Sequence, residues 1–392
     1  MFAFLTTPAL AATLTVGAPY PTIQDAVDAS SPGDRIEIPG GVWVGDITVT
    51  NDRLLVGLAG MGGTVIDGAV TTNGTVTLQS LTIAPTDAVV SLTLDHRSAL
   101  TRLEDVELTR AGGTAPVLID VGQADILLDG AWIHDLETDG VCGWGDDFSA
   151  VMKVDGGRVQ LERTTVERVT ASGCTAALIT LDDGGAGTNL IINESSFRDN
   201  QADFLFHTQL GSSGRITVTN STFLGNVIDG PLFMPALNDG LRSAFRNNVF
   251  QDNDCGGPLI HAFSSPYYAY GAAPTLVVVG NTFVANSGSV MVDLEVHTEI
   301  ANNLFAHGTT AITLTGWEPR RLDHNLFWDN ERDVNSFYYA APHPTDVLAD
   351  PRFVSFSDDG DWTDDDLSLE PSSPAIGAGV RRFGGPRDIG AL

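Results

Sequence analysis

A short frame recurs along the chain and constrains it more than any other feature. Six segments read alike: Ile192-Asn-Glu-Ser-Ser-Phe197, Val218-Thr-Asn-Ser-Thr-Phe223, Phe245-Arg-Asn-Asn-Val-Phe250, Val278-Val-Gly-Asn-Thr-Phe283, Ile300-Ala-Asn-Asn-Leu-Phe305 and Leu322-Asp-His-Asn-Leu-Phe327. Each places an apolar residue five before an aromatic anchor. The frame extends backwards with aliphatic anchors Ile83, Leu108, Ile133 and Val166, led by Leu78, Leu103, Leu128 and Leu161. Successive anchors are 25, 25, 33, 31, 26, 27, 33, 22 and 22 residues apart. A period of this size means stacked units, in a solenoid or a propeller. The units are rich in Val, Ile, Thr, Phe and Asn, are broken by Gly, and lack long 3.6-period stripes, so helical repeats are disfavoured. Propeller blades need about 40–50 residues each, and the leucine-rich frame is missing. The chain is therefore expected to be all-β: a single-stranded parallel β-helix of about eleven coils, each roughly 4.8 Å above the last.

The polar residues of the repeat fit the same geometry. Asn248, Asn281, Asn303 and Asn325 fall two before their anchors. Asn200, Asn226, Asn253, Asn286 and Asn330 fall three after theirs. Stacking puts each set in a ladder whose amides bond up and down the rod. Asn also tolerates the left-handed backbone of a sharp turn. These asparagines, and Phe197, Phe223, Phe250, Phe283, Phe305 and Phe327, are expected to be structural, with the rings stacked inside the coils.

Composition then excludes several functions. The 50 Asp and Glu outnumber 20 Lys and Arg, giving a net charge of −30, and the basic residues are nineteen Arg and one Lys, Lys153. Phosphate contacts need Lys or Arg, so nucleic acid is not an expected partner. An anionic membrane surface is repelled by the same field. With 43% of residues hydrophobic the chain is not disordered, and no apolar run reaches the ~18 residues of a membrane span. Residues 1–12 end in Ala9-Leu10-Ala11, an A-x-A cleavage pattern, and are expected to be a signal peptide. The acidic rod is expected to resist edge-to-edge association and to be monomeric. Of three cysteines, Cys142 and Cys174 fall on adjacent coils and are candidates for a disulfide, with Cys255 left over.

The N-terminal residues resemble the cap and first coil of pectin-lyase-like right-handed β-helix proteins. The matching stretches are Thr22-Ile-Gln-Asp-Ala-Val27, Gly33-Asp-Arg-Ile-Glu-Ile38, Gly40-Gly-Val-Trp43 and Gly63-Thr-Val-Ile-Asp-Gly68. The resemblance implies a right-handed coil under a helical cap that covers the open end. It places the solenoid at 13–340, with an acidic cap or tail at 341–392. The tetrapeptides Phe197-Arg-Asp-Asn200, Phe223-Leu-Gly-Asn226, Phe250-Gln-Asp-Asn253, Phe283-Val-Ala-Asn286 and Phe327-Trp-Asp-Asn330, with Gly256-Gly-Pro-Leu-Ile260, are similar to the F-x-x-N and G-G-x-I motifs of polymorphic outer membrane protein repeats. The tail, from Asp350-Pro-Arg-Phe-Val354 through Leu367–Gly379 to Asp388-Ile-Gly-Ala391, resembles that of secreted bacterial β-helix proteins of the choice-of-anchor Q type. These resemblances imply a secreted or surface-held protein.

A second frame marks where chemistry belongs. Ala150-Val-Met-Lys153, Ala177-Leu-Ile-Thr180, Phe204-Leu-Phe-His207, Pro231-Leu-Phe-Met234 and Pro258-Leu-Ile-His261 align across coils. If their third residues point inward, alternation sends Lys153, Asp155, Thr180, Asp182, His207, Gln209, Met234 and His261 outward. Lys153, His207 and His261 are then the catalytic candidates. His207 or Lys153 has the chemistry to take a proton beside a uronate carboxylate. Asp155, Thr180, Asp182 and Gln209 are the substrate-binding candidates. Asp146 and Asp147, in a long coil, are candidate Ca²⁺ ligands, and Asp155 and Asp182 offer the same chemistry or an acid/base pair. The cluster Asp358, Asp359, Asp361, Asp364, Asp365 and Asp366 around Trp362 matches no calcium-loop spacing and reads as a solvated loop. Two functions follow. The first is a binding or structural protein that meets an extracellular polysaccharide or a cell-surface component. The second is a polysaccharide lyase or glycosidase.

Overall fold

The computed structural model describes residues 11–86, 92–94, 100–109, 117–140, 149–173, 176–181, 188–208, 215–234, 242–262, 275–293, 296–316, 321–336, 342–381 and 388–391. The chain is a parallel β-helix. One coil shows the plan. Arg215–Thr219 forms one wall, Thr222–Leu224 the next, Val227–Ile228 a short step, and Phe233–Met234 the third wall. Each strand pairs in parallel with its counterpart one coil above and below, as when Val218 faces Ile192 and Phe245, or Phe223 faces Phe197 and Phe250. The first two walls and the step join into a 27-stranded sheet, while the third is a separate sheet of twelve strands.

The anchors fill the interior as the repeat requires. Rings Phe197, Phe223, Phe250, Phe283, Phe305 and Phe327 stack nearly parallel, with centroids 4.7–5.4 Å apart. Phe206 and Phe233 on the third wall meet this column edge-on. All are essentially without exposed surface.

The asparagine ladders form at the two corners that flank the anchor strand. Asn226 shows the bonding. Its Nδ2 donates to Asn253 Oδ1 at 2.8 Å and to Phe197 O at 3.0 Å, and its Oδ1 accepts from Asn200 N and Nδ2. All four bonding positions of the amide are filled. Asn253 and Asn286 continue the series, and Asn248, Asn281, Asn303 and Asn325 repeat it at the other corner. Gly308 interrupts the first ladder, so Asn330 bonds Gly308 N and Phe305 O rather than another asparagine. One expectation is corrected. The left-handed residue is not the ladder asparagine but the one before it: Asp199, Gly225, Asp252 and Ala285 at one corner, and Asn247, Gly280, Asn302 and His324 at the other. The side chain that closes the turn must point inward, and the preceding residue takes the strain.

At the N-terminus the helix Ile23–Ala29 is set by a capping box. Thr22 Oγ1 accepts from Asp25 N, and Asp25 accepts from Thr22 N. Ile23, Ala26 and Val27 are buried. Gln24 ties the helix to Thr48 of the third wall. At the other end Val347–Leu348 adds one rung, then the chain doubles back as the antiparallel pair Phe353–Ser355 and Asp366–Leu369. Leu367, Ala375 and Ile389 are buried against Val284, Leu304, Ala306 and Leu326 on the outside of the anchor wall. The tail is thus a strap along the rod.

Asn226→Ala is expected to lower stability by at least ~3 kcal/mol, because several buried backbone and amide groups lose their partners. Asn220→Ala, at an exposed left-handed position, is expected to lose only ~1–2 kcal/mol. Amide hydrogen exchange in coils 196–228 compares the two.

Candidate functional site

The twelve-stranded wall carries one outward residue per coil in strict register. The row runs from Thr93 through Asp120, Lys153, Thr180 and His207 to Met234. Phe233 faces Ile260, which sets Met234 level with His261, and Met291, Thr313 and Asn335 follow. The expected alignment of Lys153, Thr180, His207 and His261 is the one observed. The residues two before them, Val151, Leu178, Leu205, Leu232 and Leu259, are buried like their inward neighbours. Both second and third positions therefore serve the core, and the polar face begins at the fourth.

The row is charged in its middle. Lys153 Nζ lies 3.3 Å from Asp155 Oδ1, and Asp120 stands opposite Lys153 in the preceding coil. Burial pushes the Asp120 carboxyl above its ordinary range; the Lys153 ammonium opposes this and Asp155 adds to it. His207 is half-buried, and its burial pushes the imidazole pKa down. His261 Nε2 lies 3.2 Å from Asp293 Oδ2, and Asp293 Oδ1 accepts from Thr315 Oγ1.

One expectation changes. Thr180 has no exposed surface, because it stands between the longer side chains of Lys153 and His207, so it cannot reach a ligand on this face. Its Oγ1 has no hydrogen-bond partner among the described residues. Lys153, His207 and His261 share a face but do not converge. Each is two coils from the next, roughly 10 Å. Asp146, Asp147, Asp182, Gln209, Cys142 and Cys174 lie outside the described residues, and so does the start of the 1–12 segment. Cys255 is a buried free thiol whose pKa burial and the Asp254 charge push up to about 12, so it is unreactive. Among the described residues no group of three or more His, Cys, Asp or Glu is arranged to hold a metal ion.

A second polar assembly escaped the sequence reading. On the outside of the anchor wall, His134 Nε2 lies 2.9 Å from Glu107 Oε1, and its Nδ1 lies 2.7 Å from Asp135 Oδ2. Two carboxylates on both ring nitrogens leave no lone pair for base chemistry unless a carboxyl carries the proton. Arg168 holds Asp135 by two bonds of 2.8 and 3.0 Å and reaches Glu167 at 2.7 Å. Glu167 also accepts from Arg198 and, at 3.0 Å, from Trp132 Nε1. Burial pushes Glu167 up, but the bonds from Arg168, Arg198 and Trp132 together hold it below its ordinary range. The bond from Arg168, and then that from His134, keep Asp135 far below the usual carboxylate range. Every member sits one or two places from an anchor, and that offset is the signal that finds them.

No family model matches the chain, and no curated protein matches it in sequence. Among solved structures it is similar to the PL6 family alginate lyase AlyGC, at 14% identity and a TM-score of 0.39, over 86% of this chain and 55% of that one. It is similar to pectate lyase Pel9A at 13% identity and 0.38, over 94% and 90%. A third is the A-module of the Azotobacter vinelandii mannuronan C-5 epimerase AlgE4, at 11% and 0.28, over 83% and 94%. The chain spans about half the length of the alginate lyase. No described helix is long and apolar enough to cross a membrane.

Thr180→Val is expected to raise stability by about 1 kcal/mol, since it removes a buried hydroxyl that lacks a described partner. Glu167→Ala is expected to lower it by about 2–3 kcal/mol, because Arg168, Arg198 and Trp132 lose a common acceptor. Urea denaturation followed by circular dichroism measures both.

Proposed function

We propose that the protein is an extracellular carbohydrate-binding β-helix, secreted or held at the cell surface, with the Asp120–His261 row as its contact face. The observation that carries this reading is the register: the row steps by ~4.8 Å along the axis, and with Thr180 recessed it still sets Asp120, Lys153, His207, Met234 and His261 in line, an arrangement suited to a chain of repeating units. The single lysine stands second in that row, ion-paired to Asp155 and half-exposed. A fixed ammonium of this kind suits the carboxylate of an acidic sugar, and the flanking acids suit its hydroxyls. The similarity of the F-x-x-N repeats and of the tail to surface proteins agrees with this setting.

A second reading, a polysaccharide lyase, is favoured by one observation. Burial lowers the pKa of His207 and so favours its neutral ring, the form a general base requires. Ca²⁺ held by acids near the row is part of that reading.

Lys153→Met is expected to weaken binding to a uronate-containing glycan at least tenfold in isothermal titration, with the circular dichroism spectrum unchanged. The same glycans, incubated with wild-type protein with and without Ca²⁺, are expected to give no unsaturated product by ultraviolet absorbance. Product that disappears in His207→Ala establishes the lyase instead.

A further inference from the structure

The strap reaches furthest back along the rod at three consecutive corners, Asp199, Gly225 and Asp252, all in the left-handed region with φ of 55°, 59° and 51°. Trp362 sits over the middle one. A Cβ at Gly225 would lie 2.6 Å from Trp362 Nε1, so the notch exists only because that corner is glycine. Trp362 Nε1 donates to Asp199 Oδ1 at 3.2 Å. On the other side Gln251 Nε2 donates to Asp365 Oδ2 at 2.5 Å, and Ser357 N donates to Asp365 Oδ1 at 2.7 Å. The loop 357–365 is thereby held across the corners at two points.

Next to Gln251, at the third corner, stands Asp252. Its Oδ2 is buried and has no hydrogen-bond partner among the described residues. The charges acting on it from the strap are all acidic: Asp365, Asp358 and Asp359. Asp361 keeps its carboxyl below the ordinary range through its bonds with Thr363, and Asp366 through its bonds with Ser368, so both stay ionised. Burial, followed by those three carboxylates, raises the Asp252 pKa to about 6, with Gln251 opposing. A buried carboxyl oxygen facing three carboxylates is stable when it carries a proton.

We propose that the loop 357–365 is a proton-controlled clasp, seated on the Asp199–Gly225–Asp252 corners while Asp252 is protonated and lifted when Asp252 ionises. The seated state binds the Asp252 proton more tightly than the lifted state, where the group returns towards its ordinary 3.8. Seating is therefore fully favoured below about pH 4, weakens as pH rises through 6, and is constant above that. The apolar packing of Leu367, Ala375 and Ile389 keeps the rest of the strap in place, so the loop moves without unfolding the rod. Lifting uncovers Gln251, the glycine notch and the indole of Trp362.

The test uses the full chain labelled with 5-fluorotryptophan, with the Trp362 resonance assigned through Trp362→Phe and followed by ¹⁹F NMR from about pH 4.5 to 8. The resonance is expected to move with a midpoint near pH 6. In Asp252→Asn, which copies the protonated form, it is expected to stay at the seated position throughout. Asp358→Asn combined with Asp359→Asn alters only exposed side chains and is expected to lower the midpoint. An invariant Trp362 resonance overturns the clasp. So does a titration that survives in Asp252→Asn, or a midpoint the exposed pair leaves unmoved.

Discussion

The rod depends on what happens at a corner. A coil of about two dozen residues must turn sharply without leaving a buried N–H or C=O unpaired. In the later coils the turn is made by one residue in the left-handed region, and the next residue, an inward asparagine, supplies the missing bonds. For an L-residue other than glycine the left-handed conformation costs roughly 1–2 kcal/mol. The four bonds of an amide such as that of Asn226 offset this, because each group it serves would otherwise be buried without a partner. The corners also fix register. A one-residue slip would turn every anchor out of the interior, and in the coils that carry them the asparagine ladders oppose that slip.

With the corners fixed, the three walls differ in what they show to solvent. The twelve-stranded wall is polar only from the fourth position of its frame, since two consecutive residues turn inward before it. The anchor wall changes character along its length. In the earlier coils its outer face carries the His134–Glu167–Arg168 assembly. In the later coils it carries Val284, Leu304, Ala306 and Leu326, which the strap covers. An exposed apolar strip of that kind on a β-rod invites association, and the chain's own C-terminus occupies it.

Much of this was legible in the residues. The period, the anchors, both asparagine sets and the row through Lys153, His207 and His261 follow from spacing alone, because stacking turns equal spacing into contact. The capping box at Thr22 and Asp25 is likewise local. What escaped is of two kinds. The burial of Thr180 depends on the bulk of its neighbours in other coils, which a frame alignment does not weigh. The strap joins residues as far apart as Asp199 and Trp362, and no periodic signal links them. The acids near Trp362 read as a solvated loop because their partner surface is formed by coils more than a hundred residues earlier.

The asparagine ladders also have a direction. The Oδ1 of Asn226 accepts from Asn200 in the preceding coil, while its Nδ2 reaches forward to Asn253 and back to Phe197 O, so the chain of amides runs in one sense from coil to coil. An acceptor is needed where the series stops, and a carboxylate is the natural one. Asp346 stands there and takes the backbone N–H of Asn325 at 2.8 Å, in the place where the coil before uses the side-chain carbonyl of Asn325 itself.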